Sequence, residues 1–174
     1  LEKISMKLMD LTVLKQETCT LSPIPTILFF DQIQQGIKPL LDQHNITLTM
    51  DITPSTIYID TDLMKTVLYN LIDNSRKAIG NNGHIEIRGF IEDMNYHITL
   101  TDNGCGIPKE EIDKLTQAFY MVDKSRSRKN GGAGLGLSIV DTIIKAHHAF
   151  MNINSVVNQG TTIEIILGGS YEEA

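Results

Sequence analysis

Residues 84–102 contain two runs, HIEIRGFIE and YHITLTD, in which apolar and polar side chains alternate at a period of two, parted by a few polar residues. That alternation puts one apolar and one polar face on each strand, and two such runs joined by a short polar break read as a β-hairpin. The apolar face must be covered, and the sequence supplies covers with the other period. TILFFDQIQQGIKPLLDQHN is amphipathic at helical spacing despite Gly36 and Pro39. The segment from Asp62 to Ile79 and the stretch LGLSIVDTIIKAHH repeat apolar side chains three and four apart. Further strands are expected at ITLTMDI, at TIYI after Pro54, and at FMNINSV and TTIEIIL on either side of NQG. The expected architecture is therefore α+β, a two-layer sandwich whose mixed, mostly antiparallel sheet is covered on one face by helices.

With 174 residues, of which 41% are hydrophobic and 21% charged, the chain is long enough for one domain with its own core and an extra segment at one end. A net charge of -6 and a pI near 5.3 argue against a nucleic-acid surface, which needs clustered Lys and Arg. Cys19 and Cys105 have no Cys or His close in sequence, so neither a disulfide framework nor a zinc site is expected and a reducing, cytoplasmic setting fits. No apolar run approaches the ~20 residues of a membrane-spanning helix. The opening LEKISMKLMDLTVLK starts without Met and carries Leu1, Ile4, Leu8 and Leu11 at coiled-coil spacing, as the end of a helix cut from a longer chain would, with any membrane anchor upstream. CTLSPIP breaks that helix with two prolines and marks the linker. Residues 1–20 are thus expected to be helix tail plus linker, and residues 21–174 the folded domain.

NLIDNSRKAI holds the first chemistry. At 100° per residue Asn70 and Asn74 lie about 40° apart on the helix wheel, with Lys77 on the same edge. Met64, Val67, Leu68, Leu71, Ile72 and Ile79 cluster on an arc roughly 100° away. The asparagines therefore belong where core gives way to solvent, as on a pocket wall. Asp60 or Thr61 can cap this helix at its start and Gly80 can end it.

DNGCGI comes next. Asp102 closes a strand, and Gly104 and Gly106 allow a tight turn and a close backbone approach to a flat ligand. A buried carboxylate there can accept hydrogen bonds from an exocyclic amine such as that of adenine and from a bridging water. In GGAGLGL, four glycines at 131, 132, 134 and 136 lead into a helix, whose free amides and dipole suit phosphate. Its spacing is neither that of a dinucleotide fingerprint nor that of a P-loop. Between the clusters, Lys124, Arg126, Arg128 and Lys129 form a basic run of the kind that closes over a polyphosphate.

In this order and spacing the motifs resemble those of the catalytic and ATP-binding domain of sensor histidine kinases, in the GHKL group with the Bergerat fold. NLIDNSRKA looks like the asparagine box, DNGCGI the first glycine box, AFY a phenylalanine box, GGAGLGL the second glycine box and GTT the closing threonine element. The resemblance covers roughly residues 21 to 167. It implies ATP and Mg²⁺ as ligands, with Asn74 on the metal, Asn70 nearby and Lys77 on a phosphate. It implies Asp102 as the reader of the adenine amine, helped through water by Thr161, with Gly104, Gly106 and Ile107 shaping the base pocket. Tyr120, Lys124, Arg126, Arg128, Gly132, Gly134, Leu135, Gly136 and Leu137 would form the ATP lid.

Some positions depart from the family pattern. Ser75 replaces a common alanine, Ala78 stands where an aromatic often packs on adenine, Thr116 replaces the first phenylalanine of its box, and Met121 replaces a common arginine. None of His44, His84, His97, His147 or His148 has the surroundings of the family's acceptor histidine. His147 and His148 end a helix, where a cation is favoured, and all five read as structural.

The resemblance implies a kinase whose acceptor histidine lies on a separate dimerisation domain of the same protein, with a response regulator downstream. It also implies a homodimeric, membrane-anchored parent, with the isolated piece expected as a monomer. A GHKL ATP-driven clamp, an anti-sigma-type serine kinase and a non-catalytic ATP-binding module are the alternatives. In the clamps the first box carries a water-activating glutamate where this chain has Asn70.

Overall fold

The hairpin dictated by residues 84–102 lies at the centre of the sheet. The structure, a computed structural model, describes residues 19–115 and 136–168. Strands β4 (Gly83–Glu92) and β5 (Asn95–Asp102) pair antiparallel from Ile85 opposite Asp102 to Glu92 opposite Asn95. With β2 (Ile46–Ile52), β6 (Phe150–Val156) and β7 (Gly160–Gly168) they form a five-stranded sheet in the order β2-β4-β5-β7-β6. Only the β2–β4 pair is parallel, because a helix crosses over between those two strands. Ile85, Ile87, Ile98, Leu100, Ile163, Ile165 and Leu167 point inward and are buried, while Glu86 and Arg88 face out.

Among the described residues, three longer helices cover the inner face: α1 (Thr26–Asp42), α2 (Thr61–Ile79) and α4 (Gly136–Ala146). A fourth, α3 (Lys109–Ile112), is a single short turn after Pro108. α1 runs through Gly36 and Pro39, and Pro39 is exposed, where a carbonyl left without its helical partner can bond water. A side chain at position 36 would press on the ring of Tyr69, so Gly36 lets α1 lie close to α2. In α2 the expected face is the buried one: Met64, Val67, Leu68, Leu71 and Ile72 are all within 1% of full burial. Asp60 caps it by accepting from the Leu63 amide at 3.2 Å, and Gly80 ends it at φ +81°. Among the described residues no helix is long and apolar enough to cross a membrane.

Two details differ from the sequence reading. Ser22–Pro25, taken as linker, is strand β1, paired antiparallel with β3 (Thr56–Ile59) in a separate two-stranded ribbon. Pro23 and Pro25 are tolerated because, among the described residues, neither strand has a second neighbour to which an amide must donate. His147 does more than end its helix: it is buried, the Asp60 amide donates to its Nε2 at 3.0 Å and its Nδ1 lies 2.8 Å from the Ile143 carbonyl.

Cys19, isolated in sequence, lies 3.7 Å from the His147 ring, and the Thr20 amide donates to the Asp60 carboxylate at 3.2 Å. Burial, and after it the Asp60 charge, pushes the Cys19 thiol up from its ordinary value. The N-terminal helical seam at Leu1, Ile4, Leu8 and Leu11 lies outside the described residues.

Candidate functional site

The site is built along one edge of α2, where its core stripe ends. Asn70 donates its side-chain amide to the Thr66 carbonyl at 2.8 Å, which leaves its oxygen facing Gly136, the first described residue of α4. A Cβ on Gly136 would stand 3.2 Å from that oxygen and 3.7 Å from the Asn74 side-chain oxygen. Residue 136 thus rests on both asparagines, and its lack of a side chain lets the start of α4 approach them. Asn74 is half-buried and its side chain makes no hydrogen bond to a described residue, so both its carbonyl and its amide remain free for a ligand. The start of α4 adds the positive end of a helix dipole to the same spot.

Lys77 is on this edge as well, but its ammonium is engaged. It pairs with Asp73 at 2.6 Å, and Asp73 also receives Arg76 at 2.7 Å. Arg76 in turn donates to His44 at 3.2 Å, and His44 to Asn81 at 3.1 Å. Burial opposes ionisation of Asp73, but the hydrogen bonds and charges of Lys77 and Arg76 outweigh it and hold the carboxyl below its ordinary value. A folded value below the unfolded one means that the carboxylate adds stability at neutral pH, and that the addition is lost as pH falls from about 4 through the folded value. Asp73→Asn is therefore expected to lose less stability than wild type over that acid window. Thermal melting across pH checks this, and parallel acid profiles would contradict it.

The opposite end of the site is the turn after β5. Asp102 is 6% exposed, and both its oxygens are held: Ser75 donates its hydroxyl to Oδ2 at 2.7 Å and the Gly104 amide donates to Oδ1 at 2.9 Å. Gly104 packs on α2 so closely that a Cβ would stand 2.8 Å from that of Ala78, and the Cys105 amide donates to the Ala78 carbonyl at 3.2 Å. Gly106 has φ +66°, and a side chain there would strike the Val156 carbonyl. Thr161 is buried directly opposite Asp102 in the β5–β7 register. Its hydroxyl is 2.9 Å from that of Ser155, which also accepts from the Ile107 amide at 2.8 Å.

The structure therefore brings together Asn70, Asn74, Lys77, Asp102, Gly104, Gly106, Ile107, Gly136, Leu137 and Thr161 around α2, the β5 turn and the starts of α4 and β7. Tyr120, Lys124, Arg126, Arg128, Gly132, Gly134 and Leu135 lie outside the described residues. Three contributors escaped the sequence reading. Asp73 carried a signal, its four-residue spacing to Lys77 on a helix. Ser75 showed only as a departure from alanine, and Ser155 showed nothing.

A magnesium ion takes hard oxygen ligands and keeps several waters. Among the described residues no group of three or more His, Cys, Asp or Glu could hold a metal. The Asn74 carbonyl beside Gly136 is chemically suited to be one ligand of an ion that arrives on a polyphosphate.

Residues 59–169 match the family described as histidine kinase-, DNA gyrase B-, and HSP90-like ATPase. Over 139 residues the chain is 37% identical to the signal transduction histidine-protein kinase ArlS of Staphylococcus haemolyticus, a match covering 78% of this chain and 31% of ArlS. The chain spans between a quarter and about a third of the length of most of the curated relatives it matches. Among solved structures, full-length ShkA in complex with AMPPNP superposes with a TM-score of 0.82 at 19% identity, over 97% of this chain and 35% of ShkA. Histidine kinase ThkA in complex with the response regulator protein TrrA superposes with a TM-score of 0.78 at 18% identity, over 95% of this chain and 47% of ThkA. The shared fold is the two-layer Bergerat sandwich. With the family's motifs placed on one edge of α2 and on the turn that faces it, the chain belongs to the histidine kinase-, DNA gyrase B-, and HSP90-like ATPase family.

Proposed function

We propose that this chain is the catalytic, ATP-binding domain of a two-component sensor histidine kinase. It binds ATP with Mg²⁺ and passes the γ-phosphate to a histidine on a separate helical dimerisation domain of the same protein, which then serves a response regulator. The observation that carries the reading is the pairing of a buried, doubly held carboxylate at one end of α2 with a free asparagine carbonyl under the start of a helix on the same edge. Those two ends suit a flat base bearing an amine and a polyphosphate, and the kinase names of the relatives agree with it. Residues 1–20 are read as the tail of the dimerisation helix and linker, and residues 21–174 as the catalytic unit. The parent is read as a membrane-anchored homodimer with this domain in the cytoplasm, and the separated domain as a monomer. The lid role falls to the segment from Tyr120 to Leu137, with Lys124, Arg126 and Arg128 as its phosphate contacts.

Asp102 orients the base by accepting its amine, with Thr161 beside it to hold a bridging water. Asn74 would supply the one protein oxygen on magnesium, and Lys77, already on the phosphate side, adds a positive charge that Asp73 keeps in place. Magnesium, when bound, neutralises charge on the transferring phosphoryl group. Catalysis is then mostly positioning. The acceptor imidazole's lone pair forms the nitrogen–phosphorus bond while the bond from the γ-phosphorus to the bridging oxygen breaks and ADP leaves. Water competes poorly, because Asn70, its amide tied to Thr66, offers a neutral oxygen that cannot take a proton from it. The missing base is worth about 10² to 10⁴ in hydrolytic rate.

The chain is therefore expected to hydrolyse ATP slowly, to leave itself unlabelled and to label a supplied histidine-bearing helical domain of its own protein. With γ-labelled ATP and magnesium, the label on the partner should be labile to acid and stable to base. Acid-stable label would point instead to a serine acceptor, and brisk hydrolysis with no labelled protein to an ATP-driven clamp.

A further inference from the structure

We propose that Ser75 is a positioning residue that makes Asp102 select a 6-amino purine over a 6-oxo purine, an inference that rests on the nucleotide reading above. Ser75 lies within α2, 3% exposed, and its hydroxyl must find an acceptor without help from water. A Ser or Thr inside a helix ordinarily turns back to the carbonyl four residues earlier. Thr66 and Thr142 do so, donating to Asp62 and Ser138 at 3.0 and 2.9 Å. Ser75 does not. Its hydroxyl crosses to the sheet and donates to Asp102 Oδ2 at 2.7 Å, a contact between residues 27 apart in sequence.

The consequence is for the carboxylate. The terminal torsion of an aspartate is intrinsically broad, so one hydrogen bond leaves the group free to pivot. Here Gly104 holds Oδ1 and Ser75 holds Oδ2, and the carboxylate plane is set by a donor on each oxygen. An ionised carboxylate has about four acceptor positions and no donor. With two positions taken on the protein side, those that remain can only accept. A 6-amino group donates to them, whereas a 6-oxo group sets lone pair against lone pair. Ser75 is the only member of this arrangement that belongs to α2, so it also ties the base reader to the helix that carries Asn70 and Asn74.

ATP and ITP differ at the 6-position and in the N1 proton, and isothermal titration of both, with magnesium, tests the inference. Wild type is expected to favour ATP. Ser75→Ala is expected to weaken ATP about fivefold and to leave ITP within about twofold, so that the ATP-to-ITP preference falls about fivefold. Ser75→Cys, which keeps the volume with a weaker donor, should fall between the two and stands in for Ser75→Ala if that variant unfolds. A purely structural Ser75 would weaken both nucleotides together, so an unchanged preference in the variants overturns its role and leaves the base assignment standing. A wild-type chain that binds ATP and ITP equally overturns the base reader and this inference with it.

Discussion

Asp102→Asn is expected to weaken ATP binding by about 10- to 100-fold while the fold persists, because hydrogen bonds to a charged acceptor are worth roughly 1.5 to 3 kcal/mol. The separation of the two effects follows from the donors around the group. The Gly104 amide cannot turn away, so the new side chain must give its oxygen to Gly104 and place its NH₂ toward Ser75. The Ser75 hydroxyl can rotate and accept, which keeps the buried network satisfied. The pocket side has no such remedy. An NH₂ now meets the base amine, donor against donor, where a carboxylate had accepted. Titration with ATP together with thermal melting reads both quantities, and an unchanged ATP affinity would remove Asp102 from the base pocket.

Asn74→Ala should act at the other end, removing most of the magnesium dependence of ATP binding and lowering phosphoryl transfer on the order of 10²-fold, since a metal contributes several kcal/mol of charge stabilisation only when it is held in place. No loss of stability is expected. Asn74 is half-buried, makes no hydrogen bond to a described residue, and sits in a helix interior where Ala is the better helix former. Titration with and without metal and transfer to the histidine-bearing domain measure the two effects. A variant that retains the wild-type response to magnesium would show that the ion is held elsewhere.

How much of this was legible depended on the distance over which each feature is decided. The β4–β5 hairpin, the buried stripe of α2, its Asp60 and Gly80 caps and the edge shared by Asn70, Asn74 and Lys77 follow from periods of 2 and 3.6 and from residues a few positions apart, which the local backbone geometry enforces wherever the segment ends up. The motif order from Asn70 to Thr161 likewise singled out the α2 edge and the turn after β5, which the fold brings together in one candidate site. Tertiary structure alone decided which faces meet. The hydroxyl of Ser75 reaches Asp102 across 27 residues, and Thr161 stands opposite Asp102 only because β7 chose that register on β5. His147 accepts from the amide of Asp60, 87 residues away, which no rule about helix ends could anticipate. Pro23 and Pro25 read as breakers because proline removes a donor, yet a ribbon with no further strand among the described residues needs none from them. Periodicity records which side of an element is apolar, but a hydrogen bond between two buried polar groups is specified by the packing that brings them within 3 Å, and that packing belongs to the whole chain.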